Sequence, residues 1–212
     1  MIIKKTLSDQ IYDKLKRDIL TKKISLGSKI VNKNLQLEFG VSSSPIRDAI
    51  NRLYQDGLIA NIDNTGATVI ELDYENASEI NELLKYIVCT GVKISSEKSD
   101  SSRIVKQLRR MIELQKKHIN SDLYYDYDYE FHKTFIDYSK NSRLKKLYKE
   151  YNALNELLVR EIHIQLGSFV RERNISMHSE MADEYEKGNI SQVIRLTEEH
   201  YNAAESFFKE MS

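Results

Sequence analysis

Four residues in the second half of the sequence have the types and spacing of a metal site. Asp128 and His132 lie four residues apart in DYEFH, so a helix would place both side chains on one face. His178 follows, and His200 comes 22 residues after it. Three imidazoles and one carboxylate can bind a divalent transition metal. Spacing alone leaves a second interpretation open, because a core histidine hydrogen-bonded to a nearby acid is the commoner reason for such a pair.

The elements that would position these residues are helices. From Tyr74 onward there is no proline, glycine is scarce, and apolar residues recur at helical spacing. The pattern predicts six helices, over residues 76–98, 102–120, 123–139, 142–167, 169–187 and 190–211. Helices of these lengths form an antiparallel bundle, which could bring the four residues to one level of the core.

The first third of the chain has a different pattern, centred on Pro45, the only proline. Proline suits the first turn of a helix, and the serines before it are N-cap candidates, with Ser44 the best placed. The apolar residues of VSSSPIRDAINRL then share one face, which leaves Arg47, Asn51 and Arg52 pointing elsewhere. A first turn with serine hydroxyls, free backbone N–H groups and an arginine is suited to phosphates or base edges.

The segments around this helix predict a winged helix-turn-helix. Leu7, Ile11, Leu15 and Ile19 predict a first helix over residues 8–22 with Ser8 as its cap. A second helix over residues 33–39 precedes Gly40, and two short strands flank the turn at residues 63–66. We therefore expect a mainly α protein with a winged helix-turn-helix at residues 1–73 and an all-α bundle at residues 74–212.

Composition and charge fit this division. The 212 residues are 41% apolar, enough for a core, and the 32 basic residues balance the 32 acidic ones. Residues 1–70 contain 11 Lys and Arg against 7 Asp and Glu, so the rest holds 21 against 25. This asymmetry suits a nucleic-acid-binding module joined to a more acidic body. We expect no membrane span and no signal peptide, and a cytoplasmic protein in which the single cysteine, Cys89, is a plain buried thiol.

The N-terminal third resembles a known DNA-binding domain. LGSKI, FGVSSSPIRDAINRL, DGLIA and NTGATVIEL, in this order and spacing, are similar to the winged helix-turn-helix of GntR-family bacterial transcription regulators. The resemblance implies DNA contacts from the recognition helix and the wing tip. Arg47 matches the arginine within that helix and Lys33 the basic residue of the second helix, whereas Ser43 and Thr65 stand where arginine is common. The expected DNA-binding residues are Lys33, Ser42, Ser43, Ser44, Arg47, Arg52, Thr65 and Gly66.

The remainder resembles the FCD effector domain of FadR-type members of that family, in the subgroup with metal sites. The matching segments are DYEFHKTFIDYSKNSRL, MHSEMADEYEKGN and EEHYNAAESFF. The family's D-x-x-x-H motif falls on Asp128 and His132, and its two later histidines fall on His178 and His200. This resemblance makes a metal site the better interpretation, with zinc, nickel, manganese or iron all compatible.

The effector-binding residues are less defined. Lys85 and Cys89 stand where the family usually has an arginine and a glutamate, so Lys85 is one candidate. Arg160 could pair with an anionic effector, although a surface salt bridge is an equal alternative. His118 and His163 lie outside the ligand set and are expected to face solvent or to pack.

These observations predict a ligand-responsive transcription regulator. It would bind a palindromic double-stranded DNA operator as a homodimer, since two-fold symmetry doubles the base contacts. By resemblance, a small organic acid at the metal would modulate binding. Two alternatives remain: an effector-free architectural DNA binder, and a metal-dependent enzyme, for which no motif supplies a general base.

Overall fold

The computed structural model describes residues 5–210, apart from the side chains of residues 165, 168, 209 and 210. Met211, the expected end of the last helix, lies outside the described residues. The contacts divide the chain into two compact units, one ending at Leu72 and the other beginning at Asp73. Helices dominate and the described strands form one small sheet, so the expected mainly α fold class is confirmed.

The first unit is a winged helix-turn-helix. Its elements in order are α1 (Leu7–Leu20), β1 (Lys29–Val31), α2 (Asn32–Phe39), α3 (Ser43–Gln55), β2 (Ile59–Ile62) and β3 (Gly66–Val69). The sheet is antiparallel with the order β1-β3-β2, so the hairpin of β2 and β3 forms the wing. The sequence did not predict β1, because three residues are too few to show an alternating pattern.

Helix α1 begins one residue earlier than expected, with a different cap. Thr6 is the N-cap: its hydroxyl accepts from the Asp9 N–H, and the Asp9 carboxylate accepts from the Thr6 N–H at 2.9 Å. The Ser8 hydroxyl instead donates to Asp48 of α3. Leu15 and Ile19 are buried on the face of α1 that packs against α3.

Helix α3 carries the predicted apolar face. Ile46, Ala49, Ile50 and Leu53 are all buried. The helix begins at Ser43 with Ser42 as its N-cap, rather than with Ser44, so Pro45 lies in the first turn, where its missing N–H costs no hydrogen bond.

The second unit is a helical bundle. Its helices are α4 (Tyr74–Lys98), α5 (Ser101–Lys117), α6 (Leu123–Tyr138), α7 (Ser142–Glu150), α8 (Asn152–Leu166), α9 (Ser168–Glu186) and α10 (Ile190–Glu210). The predicted helix over residues 142–167 is two helices that meet at Tyr151 (φ −92°, ψ 2°). No glycine or proline marks this break, which is why the sequence pattern ran through it.

Helix α6 lies in the middle of the bundle, in contact with α4, α5, α7 and α8. Its side chains Phe131 and Phe135 are fully buried, and α9 contributes the buried Met181 and Tyr185. Helix α9 packs against α5, α8 and α10, and α10 also packs against α4. The ring of Phe131 on α6 stacks on His178 of α9, and the ring of His132 on α6 lies 5.1 Å from that of His200 on α10. Residues of these three helices therefore meet within one core.

Candidate metal centre and nucleic-acid interface

Three of the four expected metal ligands meet in the core of the second unit. His132 of α6, His178 of α9 and His200 of α10 have ring centroids 4.8–5.1 Å apart. One ring nitrogen from each lies within 4.8 Å of the others, so a single ion could be shared. His132 and His178 are 1% and 0% exposed.

Most ring nitrogens of this cluster lack a hydrogen-bond partner among the described residues. Neither nitrogen of His132 is hydrogen-bonded within the described residues, nor are Nε2 of His178 and Nδ1 of His200. A buried polar atom without a partner costs about 1–3 kcal/mol, so several together indicate a ligand-binding site. Imidazole nitrogens are good ligands of first-row transition metals, and these residues therefore fit a metal ion.

The environment keeps the imidazoles neutral. Burial lowers the pKa of His132 and that of His178 well below the usual histidine value, and neighbouring histidines lower them further. Burial, helped by the charge of Arg173, lowers the pKa of His200 to about 4. Neutral imidazole has the lone pair that a metal requires, so the site needs no proton release from histidine at neutral pH.

Asp128 lies beside the cluster, but not among the three groups whose ligand atoms meet. Its side chain is 5% exposed, and its Oδ1 has no hydrogen-bond partner in the described part of the chain. Burial raises its pKa to about 7. The raised pKa reflects the free-energy cost of burying the ionised carboxylate, and a nearby cation would offset this cost.

A cavity of about 60 Å³ opens next to the histidines. Asp128, His132 and His200 line it, and it can hold several water molecules or a compact ligand. Other polar side chains in its wall are Asn81, Asn155, His163, Arg173 and Asn174. Leu158, Ile162, Val170 and Phe208 are among the apolar ones.

The two effector-binding candidates from the sequence do not line this cavity. Lys85 donates to Asn202 at 3.1 Å. Arg160 is held by Asp122 and Glu156, each at 2.9 Å, and its guanidinium lies 3.9 Å from the ring centre of Tyr125. Both cations thus have intramolecular partners, and those of Arg160 are two carboxylates.

Arg173 and His163 are the residues that sequence reasoning missed. Arg173 lines the cavity, as does its neighbour Asn174. Asn174 lies one turn before His178 on α9, so a helical wheel of α9 could have indicated this part of the helix. His163 is 4% exposed, packs on Tyr124 and Tyr125, and has no hydrogen-bond partner on either nitrogen among the described residues. It is thus buried rather than solvent-facing.

In the first unit, α3 and the wing border one polar cleft of about 240 Å³. Arg47 and Asn51 of α3 line it together with Asp63 and Asn64 of the wing turn. Arg47 is exposed and makes no ion pair or side-chain hydrogen bond with the described residues, and Lys33 of α2 is exposed in the same way. These cations are free to meet an anionic ligand.

The serines before and in the first turn of α3 are also available. Ser42 and Ser44 are exposed, Ser43 is half-buried, and the Ser42 hydroxyl makes no capping hydrogen bond. The first-turn N–H groups of α3 therefore face outward without a side-chain cap, as an anion-binding helix start requires.

Arg52 and Gly66, two expected DNA-binding residues, have contacts within the domain. The Arg52 guanidinium donates to Asp9 at 2.8 Å and lies 4.2 Å from the ring centre of Tyr12, so it joins α3 to α1. Gly66 is buried in β3, and its N–H donates to Asp63 at 2.9 Å. Thr65 is exposed, although its N–H and hydroxyl both donate to Asp63.

Comparison with known proteins identifies both units. Residues 7–69 match the family model for bacterial regulatory proteins of the gntR family, and residues 80–203 match the FCD domain. The chain is a GntR-family transcription regulator with an FCD domain. A GntR-family chain with relatives of this kind is a regulator rather than an enzyme, which removes the enzyme alternative.

Relatives and solved structures agree with this assignment. The HTH-type transcriptional regulator YdhC of Bacillus subtilis strain 168 is 26% identical over 91% of this chain and 87% of its own. A GntR transcriptional regulator from Rhodococcus sp. RHA1 has the same fold (TM-score 0.78, 16% identity, 97% and 98% of the two chains). So does Escherichia coli McbR/YncC (TM-score 0.75, 16% identity, 98% and 99%). None of the helices described in this GntR regulator is long and apolar enough to cross a membrane.

Proposed function

We propose that this GntR regulator binds a palindromic operator as a homodimer and that a small organic acid, bound at a metal ion in the FCD domain, modulates the binding. The observation that carries the proposal is the group of buried histidine nitrogens without partners in the described chain, beside a cavity that Arg173 lines. Because this regulator works on DNA, we place it in the cytoplasm.

His132, His178 and His200 would hold the metal, with Asp128 as a fourth ligand. When bound, the metal supplies a positive charge with open coordination positions that a carboxylate can occupy. The residues around it would bind the remaining polar groups of the effector. Arg173 offers a guanidinium fork for a carboxylate, and the neutral His163 offers one donor and one acceptor to a second polar group.

The cavity limits the size of the effector. A volume of about 60 Å³ suits a compact acid. Apolar side chains such as Ile162 and Phe208 would contact the carbon skeleton, while the amides of Asn155 and Asn174 are placed for its oxygen atoms.

DNA contact is proposed for Lys33, Arg47, Thr65 and the serines at residues 42–44. One recognition helix reads only a few base pairs, so a homodimer on two half-sites supplies the remaining selectivity. The effector must bind with unequal affinity to the DNA-compatible and DNA-incompatible arrangements of the dimer, since equal affinity would shift nothing.

Native mass spectrometry of untagged protein, purified without chelator, tests the proposal. We expect a dimer with one metal per chain, together with a co-purified acid whose mass identifies it. Both the metal and the acid should be absent from the double variant Asp128→Ala/His178→Ala, while His118→Ala, which alters a histidine outside the cluster, should keep them.

A metal-free dimer of normal stability would contradict the metal-centred proposal. The four residues would then be ordinary polar groups of the core. The effector-free architectural DNA binder would become the better description, with a bundle that only dimerises.

A further inference from the structure

Gln115 is a polar residue on the apolar face of α5. Ile104, Leu108 and Ile112 form that face at helical spacing, and Gln115 continues it by one further turn. All four side chains are buried, and Gln115 is 0% exposed. Burying an amide costs free energy unless its hydrogen bonds are satisfied. If this position served only to pack the core, an apolar residue would be expected there.

Among the described residues, the side-chain amide of Gln115 makes its one polar contact with the metal cluster. Its Oε1 lies 3.0 Å from Nδ1 of His178, a contact that joins α5 to α9. Nε2 of Gln115 has no hydrogen-bond partner among the described residues. The ring of Phe131 stacks on His178 with centroids 4.0 Å apart, so one side chain fixes the plane of the imidazole and the other engages its edge.

This contact decides which His178 nitrogen is free. An amide oxygen only accepts, so Nδ1 must carry the proton and donate it to Gln115. Neutral imidazole has a single N–H, and Nε2 therefore presents its lone pair. Nε2 of His178 is buried and has no hydrogen-bond partner among the described residues.

We propose that Gln115 is a positioning residue of the metal centre, which holds His178 in the Nδ1–H tautomer with Nε2 directed at the ion. The inference rests on the proposed metal site and goes beyond its ligand set. Hydrogen bonds of this kind to metal-binding histidines fix the ring and raise its basicity, and their loss typically lowers metal affinity about 10–100-fold.

The opposite amide orientation would have the opposite effect. If the amide turned by 180°, Nε2 of Gln115 would donate to Nδ1 of His178, and the imidazole proton would move to the nitrogen that faces the cluster. In that tautomer Nε2 has no free lone pair, so His178 could not bind the ion through it. The orientation of the Gln115 amide therefore determines whether His178 can bind the ion through Nε2.

Gln115→Leu separates this role from packing. Leucine has a similar volume and no acceptor, so a residue needed only for packing would tolerate it with equal or higher stability. We expect the Zn²⁺ affinity of the full-length dimer, measured by competition with a chelator, to fall about 10–100-fold while the melting temperature of the metal-free protein is kept. Gln115→Glu keeps an acceptor for Nδ1–H and should bind Zn²⁺ within a few-fold of the original protein.

Ser95→Ala is the matched control. The Ser95 hydroxyl is also 0% exposed and lies 3.0 Å from Tyr185 of α9, but it does not contact a histidine of the cluster. Its loss removes a buried hydrogen bond between two helices and should leave Zn²⁺ affinity unchanged. Equal losses in Ser95→Ala and Gln115→Leu would overturn the positioning role.

The outcomes separate this inference from the proposed function. If the original protein binds no Zn²⁺, the metal site itself fails and the role of Gln115 with it. If it binds Zn²⁺ and Gln115→Leu binds equally well, only the role of Gln115 fails. Should Gln115→Leu not fold, nitrogen NMR of the original metal-free protein decides: His178 protonated at Nδ1 supports the inference, and protonation at Nε2 overturns it.

Discussion

Arg47 and Arg52 lie on the same helix but have different surroundings. Arg47 is exposed on the cleft that it shares with the wing, without an ion pair in the described residues. Arg52 contacts Asp9 and Tyr12 of α1. A free cation can form new hydrogen bonds with DNA, whereas an arginine already in place would have to break its own. The two residues therefore form an internal comparison.

We expect Arg47→Ala to weaken operator binding by about 1–3 kcal/mol, because a well-placed arginine contact to a base is worth that much. Arg52→Ala should lower the melting temperature of the reader unit, the winged helix-turn-helix that ends at Leu72, and leave the affinity of the folded protein nearly unchanged. Titrations of both variants at one salt concentration, beside thermal denaturation, test this. Equal affinity losses in the two variants would show that the exposure of Arg47 does not decide its role.

At the scale of elements, the wing depends on a close approach between two strands. Gly66 opens β3 and pairs with Val31 of β1. A Cβ atom at Gly66 would lie 1.9 Å from the carbonyl oxygen of Ile30, which is backbone and cannot rotate away. Asp63 also accepts hydrogen bonds from Lys29 of β1 and from the wing turn, so the turn and β1 are tied together.

Gly66→Ala should therefore destabilise the reader unit by on the order of 1–3 kcal/mol, the usual cost of overpacking. Gly40→Asn is the control. Gly40 has a left-handed φ of 63° that asparagine tolerates, and a Cβ atom there would meet no other described residue within 4 Å beyond its chain neighbours and its own helix. Denaturant unfolding followed by circular dichroism measures both changes. A Gly66→Ala protein as stable as the original would mean that β1 can move away from the wing.

At the scale of the molecule, the three histidines join helices that are distant in sequence. A bound metal would stabilise α6, α9 and α10 together, since it binds the folded bundle and has no preformed site in the unfolded chain. The reader unit, up to Leu72, contains none of these histidines. Metal binding and the stability of the second unit are therefore expected to be linked.

Free Zn²⁺ at 100 times its dissociation constant should stabilise the second unit by about 2.7 kcal/mol. Calorimetry with and without chelator should show a shift in the transition of the second unit and none in that of the reader unit. His178→Ala should remove the shift. A shift that persists in His178→Ala would place the metal elsewhere in the protein.

Local sequence patterns were enough to predict most of the architecture. Apolar spacing predicted the helices, Pro45 and Gly40 marked the boundaries around α3, and the order of motifs indicated a GntR reader followed by an FCD bundle. These features are local, because periodicity and turn chemistry act over a few residues. The sequence also placed Asp128 and His132 on one helical face, since i and i+4 side chains adjoin in any helix.

The packing of the helices determines which side chains meet across them. Lys85 and Arg160 contact other side chains of the domain, whereas Arg173 and His163 line the cavity. Gln115 contacts His178 although the two residues are separated by 63 positions in the sequence. The local sequence pattern also did not predict the helix break at Tyr151 or the strand β1. The physical reason is that a side chain's partners depend on how helices rotate and pack against each other, which the periodicity of a single helix does not specify.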